Sequence, residues 1–264
     1  MSETRTPWLT DQVVLVSGGT QGVGAAVARR AAAEGAAAVV VTGRRPELGE
    51  AVADELTSTG TQGLFVPTDL RDVAQARASV VATIERFGRL DRVVNAAGYT
   101  ARGSMLDTTP ELFDTHMAIN VRAPFFIMSQ TIAHLRERGV PGSIVNIGSI
   151  SAHAGQPYLA PYVAAKAALA GLTRNAAHAH RWDRIRVNCV NMGWTATEGE
   201  TSIQKSAHGA DDDWLARADA SVPMGRIGRP GQIAEFVTFL LSDHSGVVTG
   251  SVLDWDQIVI GGQD

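Results

Sequence analysis

The sequence predicts an α/β fold: a doubly wound parallel sheet of seven strands with helices on both faces, in one domain spanning residues 1–264. Three observations carry that prediction. Short apolar runs alternate with helix-forming stretches from one end of the chain to the other, the pattern of successive βα units. A glycine-rich turn, SGGTQGVG (Ser17 to Gly24), lies between the first apolar run and the first helical stretch. No internal repeat, low-complexity tract or linker-like stretch divides the chain, and 264 residues with 45% hydrophobic content suffice for a sizeable core.

The elements follow in order. Residues Met1 to Thr10 read as a short polar tail, and Gln12 to Val16 as the first strand. After the glycine-rich turn, AAVARRAAAEG is a strong helix former that ends at Gly35. Ala36 to Thr42 is the second strand, and GRRPELGEAVADELTSTG a turn plus helix. Gly63 to Pro67 is the third strand, Asp69 marks a turn, and Val73 to Phe87 is the third helix. Leu90 to Asn95 is the fourth strand, running into NAAG (Asn95 to Gly98). A long amphipathic helical pattern extends from Thr109 to about Arg138. Ser143 to Ile147 and Ile185 to Val190 are the fifth and sixth strands, with an alanine-rich helix between them. Trp194 to Gly228 is polar, contains glycine and an acidic run at Asp211 to Asp213, and reads as an excursion able to close over a site (a lid, residues 195–228). Gln232 to Leu241 is the last helix and Ser251 to Trp255 the last strand.

Composition narrows the function. A net charge of -4 and a pI near 6.0 offer no electrostatic reason to expect nucleic acid or an anionic membrane as partner. The single cysteine, Cys189, rules out an internal disulfide framework and a cysteine-based zinc site, and its apolar neighbours suggest an inert core thiol. The amino terminus lacks the apolar core of a signal peptide, and no run approaches the length of a membrane span. A cytoplasmic protein is expected.

The stretch SISAHAGQPYLAPYVAAK carries Ser149, Tyr162 thirteen residues on, and Lys166 four residues later. Ser149 is expected just past the carboxyl end of a strand, with Tyr162 and Lys166 on the first turns of the helix. A spacing of four puts those two on one helical face. A free phenol titrates near ~10, but a nearby cation favours phenolate and lowers that value. A phenol so tuned can take a proton from an alcohol or give one to a carbonyl oxygen, and Ser149 can hydrogen-bond the same oxygen. From this stretch alone, a surface Tyr-Lys pair beside a capping serine fits as well. The glycine-rich turn stands where a phosphate loop must be: Gly18 permits a tight turn, and Gly22 and Gly24 allow close approach to a pyrophosphate. An ordinary tight turn is the alternative. Asp69 and Asn95 fall on the carboxyl edge of the sheet, where ligands of open α/β folds bind.

Together these motifs, SGGTQGVG, Asp69, NAAG at 95–98, Asn120, Ser149 and Y-V-A-A-K at 162–166, resemble the classical short-chain dehydrogenase/reductase family over essentially the whole chain. The resemblance implies a Rossmann-type domain with Tyr162 as general acid/base and Ser149 polarising the substrate oxygen. It implies that Lys166 binds the nicotinamide ribose and lowers the tyrosine pKa, and that Asn120 holds a water of a proton relay. It assigns Gly18, Thr20, Gln21, Gly22 and Val23 to the cofactor, with Asp69 on the adenine, Asn95 beside the adenosine ribose, and Leu70 and Ala97 as their neighbours. Thr195 and Thr197 would contact the carboxamide and phosphates. Two departures stand out: Met192-Gly193 where the family has Pro-Gly, and Asp254-Trp-Asp256 where it has Asp-Gly-Gly. A homotetramer is the family expectation.

Ser151 and His153 lie in the loop expected to wall the substrate pocket, although a solvent-facing histidine is the alternative there. No His/Asp/Glu group has metal-ligand spacing, so no metal is expected. NADP(H) is expected over NAD(H), because the position at the end of the second strand that is acidic in NAD enzymes is Gly43, with Arg44 and Arg45 next. The expected activity is hydride transfer between cofactor and a small-molecule carbonyl or secondary alcohol. An NAD(H)-dependent alcohol or sugar dehydrogenase, a nucleotide-sugar epimerase and a catalytically silent cofactor-binding protein are the alternatives. The epimerases carry an extra carboxyl-terminal domain for which this chain has no room.

Overall fold

Seven parallel strands form one sheet in the order β3-β2-β1-β4-β5-β6-β7. The strands are β1 (Val13–Ser17), β2 (Ala38–Gly43), β3 (Gln62–Pro67), β4 (Arg92–Asn95), β5 (Gly142–Ser149), β6 (Ile185–Met192) and β7 (Val252–Trp255). This computed structural model describes residues 6–153 and 155–261. Residues 1–5 of the expected polar tail lie outside the described residues. Trp8 and Leu9 do not behave as a tail: Leu9 is fully buried in the core, and Trp8 packs edge-on against Phe239 at 6.0 Å.

Strand order reverses at β1, whose neighbours are β2 on one side and β4 on the other. At such a switch point the two loops leaving the carboxyl ends diverge and open a crevice. The central strands β1 and β5 are buried along their whole length, the polar Ser143, Asn146 and Ser149 of β5 included. One core joins β1 and β2 to α1 (Gly22–Ala33), α2 (Pro46–Ser58) and α9 (Pro230–Leu241). The opposite core joins the sheet to α3 (Val73–Phe87), α5 (Ala123–Arg138) and α6 (Ala160–His180).

Helix starts follow local chemistry. Asp72 caps α3 by accepting the Ala74 N–H, and Gly88 ends it in the left-handed region. Thr109 caps α4 (Pro110–Met117) by accepting the Leu112 N–H at 3.2 Å. The long helical pattern from Thr109 is not uniform: a π-helical segment, Ala118–Arg122, separates α4 from α5. Such wide turns recur at functional sites, and this one carries Asn120.

The excursion contains α7 (Glu198–His208) and α8 (Trp214–Ala220), with a small core of its own made by Trp214, Ala218 and Ile227. Its ends are pinned together: Gly228 N–H donates to the Trp194 carbonyl at 2.8 Å, and Ala196 N–H to the Gly228 carbonyl at 2.9 Å. Among the described residues, no helix is long and apolar enough to cross a membrane.

Candidate active site

The turn after β1 is built by close backbone approach. Gly18 has φ 77, and a Cβ there would stand 2.6 Å from the Ala97 backbone. A Cβ at Gly24 would lie 2.1 Å from the Gly18 carbonyl oxygen. Only hydrogen fits at either point, so the turn folds tightly beneath the start of α1. Gln21 makes no side-chain cap there, which leaves the first-turn N–H groups of α1 without a side-chain acceptor. A cavity of about 300 Å³ runs from this turn along the carboxyl edge of the sheet to Tyr162 and Lys166. Its glycine-rich turn at the start of α1, its basic flank at Arg44 and Arg45 and its run to Tyr162 and Lys166 fit a dinucleotide.

Most of the residues singled out from sequence line that cavity: Gly18, Thr20, Gln21, Gly22 and Val23 on the turn; Arg44 and Arg45 after β2; Asp69 and Leu70 after β3; Ala97; and Thr197. Met192, singled out only as a departure, lines it too, as do Thr68, Tyr99 and Thr100, which sequence reasoning missed. Their only sequence signal is position, directly beside Asp69 or after NAAG.

Other expected contact residues also bond to the protein itself. Asn95 is buried, and its amide donates to Asn146 Oδ1 at 2.8 Å within the sheet. Asn146 donates in turn to Thr173 Oγ1 at 2.9 Å, so the side chain of Asn95 belongs to a polar chain linking β4, β5 and α6. Asp69 lines the cavity, yet its carboxylate is held by Arg71 Nε at 3.0 and 3.1 Å, which draws its pKa below the usual carboxylate value. Thr195 is buried with its hydroxyl donated to the Gly193 carbonyl at 2.9 Å. Ser151 donates its N–H to Ser149 Oγ at 3.2 Å. His153 turns toward β7, where its Nε2 lies 2.8 Å from Asp254 Oδ1. Asp254 also accepts from Asn191 Nδ2 at 3.0 Å. Asp254, the residue of Asp254-Trp-Asp256 that keeps the family pattern, therefore anchors the His153 loop. The departing Asp256 packs against Gly193, where a Cβ would stand 1.9 Å from its Oδ1.

Ser149 is the last residue of β5 rather than a residue beyond it, so sheet pairing with Met192 fixes its position. Tyr162 and Lys166 share one face of α6, and both are almost fully buried. Burial dominates their titration. The Tyr162 phenol is pushed up to about 12, chiefly by desolvation, with the Ser149 hydroxyl drawing it partly back. The Lys166 amine is pushed down to about 8 by desolvation. This is the reverse of a phenol lowered by its lysine. Desolvation outweighs the neighbouring lysine, whose Nζ donates to the Ile147 carbonyl at 2.7 Å and stands 5.6 Å from the Tyr162 ring centroid.

Asn120 is fully buried and grips the backbone of Tyr99 from both ends, its Oδ1 accepting the Tyr99 N–H at 2.9 Å and its Nδ2 donating to the Tyr99 carbonyl at 2.9 Å. His116 lies one turn earlier, 3.4 Å from the same amide and with its ring 6.2 Å from that of Tyr162. Cys189 is buried, and desolvation pushes its thiol up to about 11, which suits an inert core position.

The model of the family described as enoyl-(acyl carrier protein) reductase matches residues 18–257. A short-chain dehydrogenase/reductase, FrzI, from Cladobotryum sp is 34% identical over 250 residues, covering 94% of this chain and 95% of that protein. The NADP-dependent (R)-specific alcohol dehydrogenase of Lentilactobacillus kefiri is 34% identical over 245 residues, covering 92% and 94%. Among solved structures, levodione reductase superposes with a TM-score of 0.87 at 34% identity, covering 94% of this chain and 97% of that one.

Proposed function

We propose, from the premise that this chain belongs to the classical short-chain dehydrogenase/reductase family, that it interconverts a carbonyl and a secondary alcohol using NADP(H). The observation that carries the reading is one cavity with the glycine-rich cradle at one end and Tyr162 and Lys166 at the other, Ser149 beside the tyrosine.

NADP(H), when bound, supplies or accepts the hydride. Tyr162 gives its proton to the carbonyl oxygen in reduction and recovers it from the alcohol in oxidation. A phenol pushed up to about 12 holds its proton at neutral pH, the state from which it donates to a carbonyl oxygen. Ser149 hydrogen-bonds the same oxygen as negative charge develops on it. Lys166, in the same cavity, is read as the residue that holds the nicotinamide ribose, as the family resemblance implies. Asn120, buried nearby, is read as the proton-relay position that the family resemblance implies.

Support for NADP(H) comes from Gly43, which leaves the end of β2 without a carboxylate, and from the two arginines beside it. Arginine forks match phosphate oxygens well. Arg45 also donates to Gln21, which ties this basic flank to the glycine-rich turn. The similarity to an NADP-dependent alcohol dehydrogenase points the same way. The excursion from Ala196 to Arg226 is read as the element that selects substrate. For the assembly, a homotetramer is the reading, with the half-exposed Phe113 and Phe125 of α4 and α5 as contact residues. Sedimentation at micromolar concentration tests it, and a species of only ~28 kDa would refute it.

The test of function is a panel of ketones and secondary alcohols with both nicotinamide cofactors, followed at the nicotinamide absorbance. Tyr162→Phe should lower kcat by ~10²–10⁴ with little change in NADPH affinity. A drop below about tenfold would overturn the role given to Tyr162.

A further inference from the structure

The segment that follows β4 is held at Tyr99, Ala101 and Gly103. Asn120 clamps Tyr99. His116 Nε2 lies 3.0 Å from the Ala101 carbonyl; a carbonyl can only accept, so that nitrogen carries the proton. Gly103 pairs with the start of α6, its N–H donating to the Tyr158 carbonyl at 2.9 Å and its carbonyl accepting the Ala160 N–H at 3.0 Å. Arg102 therefore projects from fixed backbone at the junction with the helix that carries Tyr162.

Its side chain is oddly provided for. The guanidinium lies 5.3 Å over the Tyr158 ring, and Nη1 donates to the carbonyl of Thr100, a cavity residue, at 3.2 Å. Nη2 lies 3.4 Å from His208 Nε2, at the far end of α7. Nε is shielded from water and has no acceptor. Arg217 and Arg229, the neighbouring arginines of the excursion and its base, pair with Asp211 and Asp219. Arg102 has no such carboxylate among the described residues. Glu200 is the acid of α7 whose charge reaches Tyr162, but its Oε1 already accepts from Trp194 Nε1 at 2.8 Å and Gln204 Nε2 at 2.7 Å.

A half-buried guanidinium with an unmet N–H gains from an oxyanion far more than a solvated one does. Nε–H and an adjacent Nη N–H form the planar fork that takes a carboxylate or phosphate side-on. Arg102 bonds to Thr100, which lines the same cavity as Tyr162, so a molecule whose oxygen meets Tyr162 can extend toward the fork; its charge also pulls the Tyr162 phenol down in pKa.

We infer that the carbonyl substrate carries an oxyanion group and that Arg102 binds it, the anion displacing the weak contact to His208. This rests on the reductase reading above and adds the substrate class: an oxo acid or oxo phosphonate rather than a neutral ketone.

The test compares matched pairs in the unmodified enzyme with NADPH: 4-oxopentanoate, 5-oxohexanoate and 6-oxoheptanoate against their methyl esters, and (2-oxopropyl)phosphonate against its dimethyl ester. At least one anion should exceed its ester tenfold or more in kcat/KM, and the best pair identifies the oxyanion. Arg102→Met should bring that ratio toward one, and Arg102→Lys should restore part of it. Equal or better use of every ester by the unmodified enzyme overturns the proposal without recourse to a variant, as does a ratio untouched by Arg102→Met. Calorimetric titration of the same anions and esters separates the two readings. Turnover of neutral ketones without charge preference keeps the reductase and removes the anion site. Arg102-dependent anion binding with no turnover of any carbonyl keeps the anion site and removes the reductase. Neither binding nor turnover removes both.

Discussion

Replacing Lys166 with Met should remove a pH dependence of stability that the unmodified protein shows between pH 7 and 10. Lys166 is 3% exposed, and burial holds its amine at about 8 instead of 10.5. The unfolded chain keeps that proton until 10.5, so between those values the unfolded state holds more protons and stability rises with pH. Below pH 8 the folded chain bears the full cost of a buried ammonium, about 3 kcal/mol for a displacement of this size. About 2–3 kcal/mol of it should be recovered between pH 7 and 10. The Met variant has no such group. It does strand the Ile147 carbonyl that Lys166 satisfies at 2.7 Å, a loss on the order of 1–3 kcal/mol that does not vary with pH. The readout is therefore the change in the stability difference with pH, not its absolute size. Tyr162 is present in both proteins, so its titration cancels. Urea unfolding of both proteins at pH 7, 8, 9 and 10 measures the difference directly. In thermal unfolding, at ~2–4 °C per kcal/mol, the gap in Tm should move by roughly 5–10 °C. A gap that stays constant across the range would refute a desolvated Lys166.

Three further outcomes are expected. The unmodified enzyme should favour NADPH over NADH by tenfold or more in kcat/KM, Arg44→Ala should erode that lead, and Gly43→Asp should reverse it. A Cβ at Gly43 meets the Thr20 side chain at 2.7 to 2.9 Å, so that reversal needs Thr20 to rotate; equal use of NADH by the unmodified enzyme would refute the preference. Gly24→Ala drives a methyl to 2.1 Å from the Gly18 carbonyl oxygen and should cost ~1–3 kcal/mol while weakening cofactor binding, and an unchanged Tm and affinity would contradict the cradle geometry. His153→Ala breaks an ion pair with Asp254 in which both side chains are about one-third exposed, so the loss should stay below about 1 kcal/mol; a larger one in chemical denaturation would show that the pair is better shielded than its exposure indicates.

What the chain settled by itself is local or periodic. The seven strands, the helices between them and the glycine-rich turn were legible because apolar period, caps and glycines act over a few residues. Tyr162 and Lys166 share a face because a helix puts residues four apart together. Family likeness extended that reading to Asn120 and the cofactor loop. The rest depended on elements distant in sequence. Asn95 turns to Asn146, 51 residues on, and His153 turns to Asp254, 101 residues on, because strands β4, β5 and β7 bring those partners within reach. Arg102 shows no motif; it stands out only once Thr100, Tyr158 and His208 surround it without an acid. The electrostatics of the Tyr-Lys pair went the same way. Spacing alone predicts attraction between phenol and ammonium, whereas the packed sheet and helices exclude water from both and give Lys166 the Ile147 carbonyl as its partner. Desolvation is a property of everything that surrounds a group, so the tertiary structure decided it.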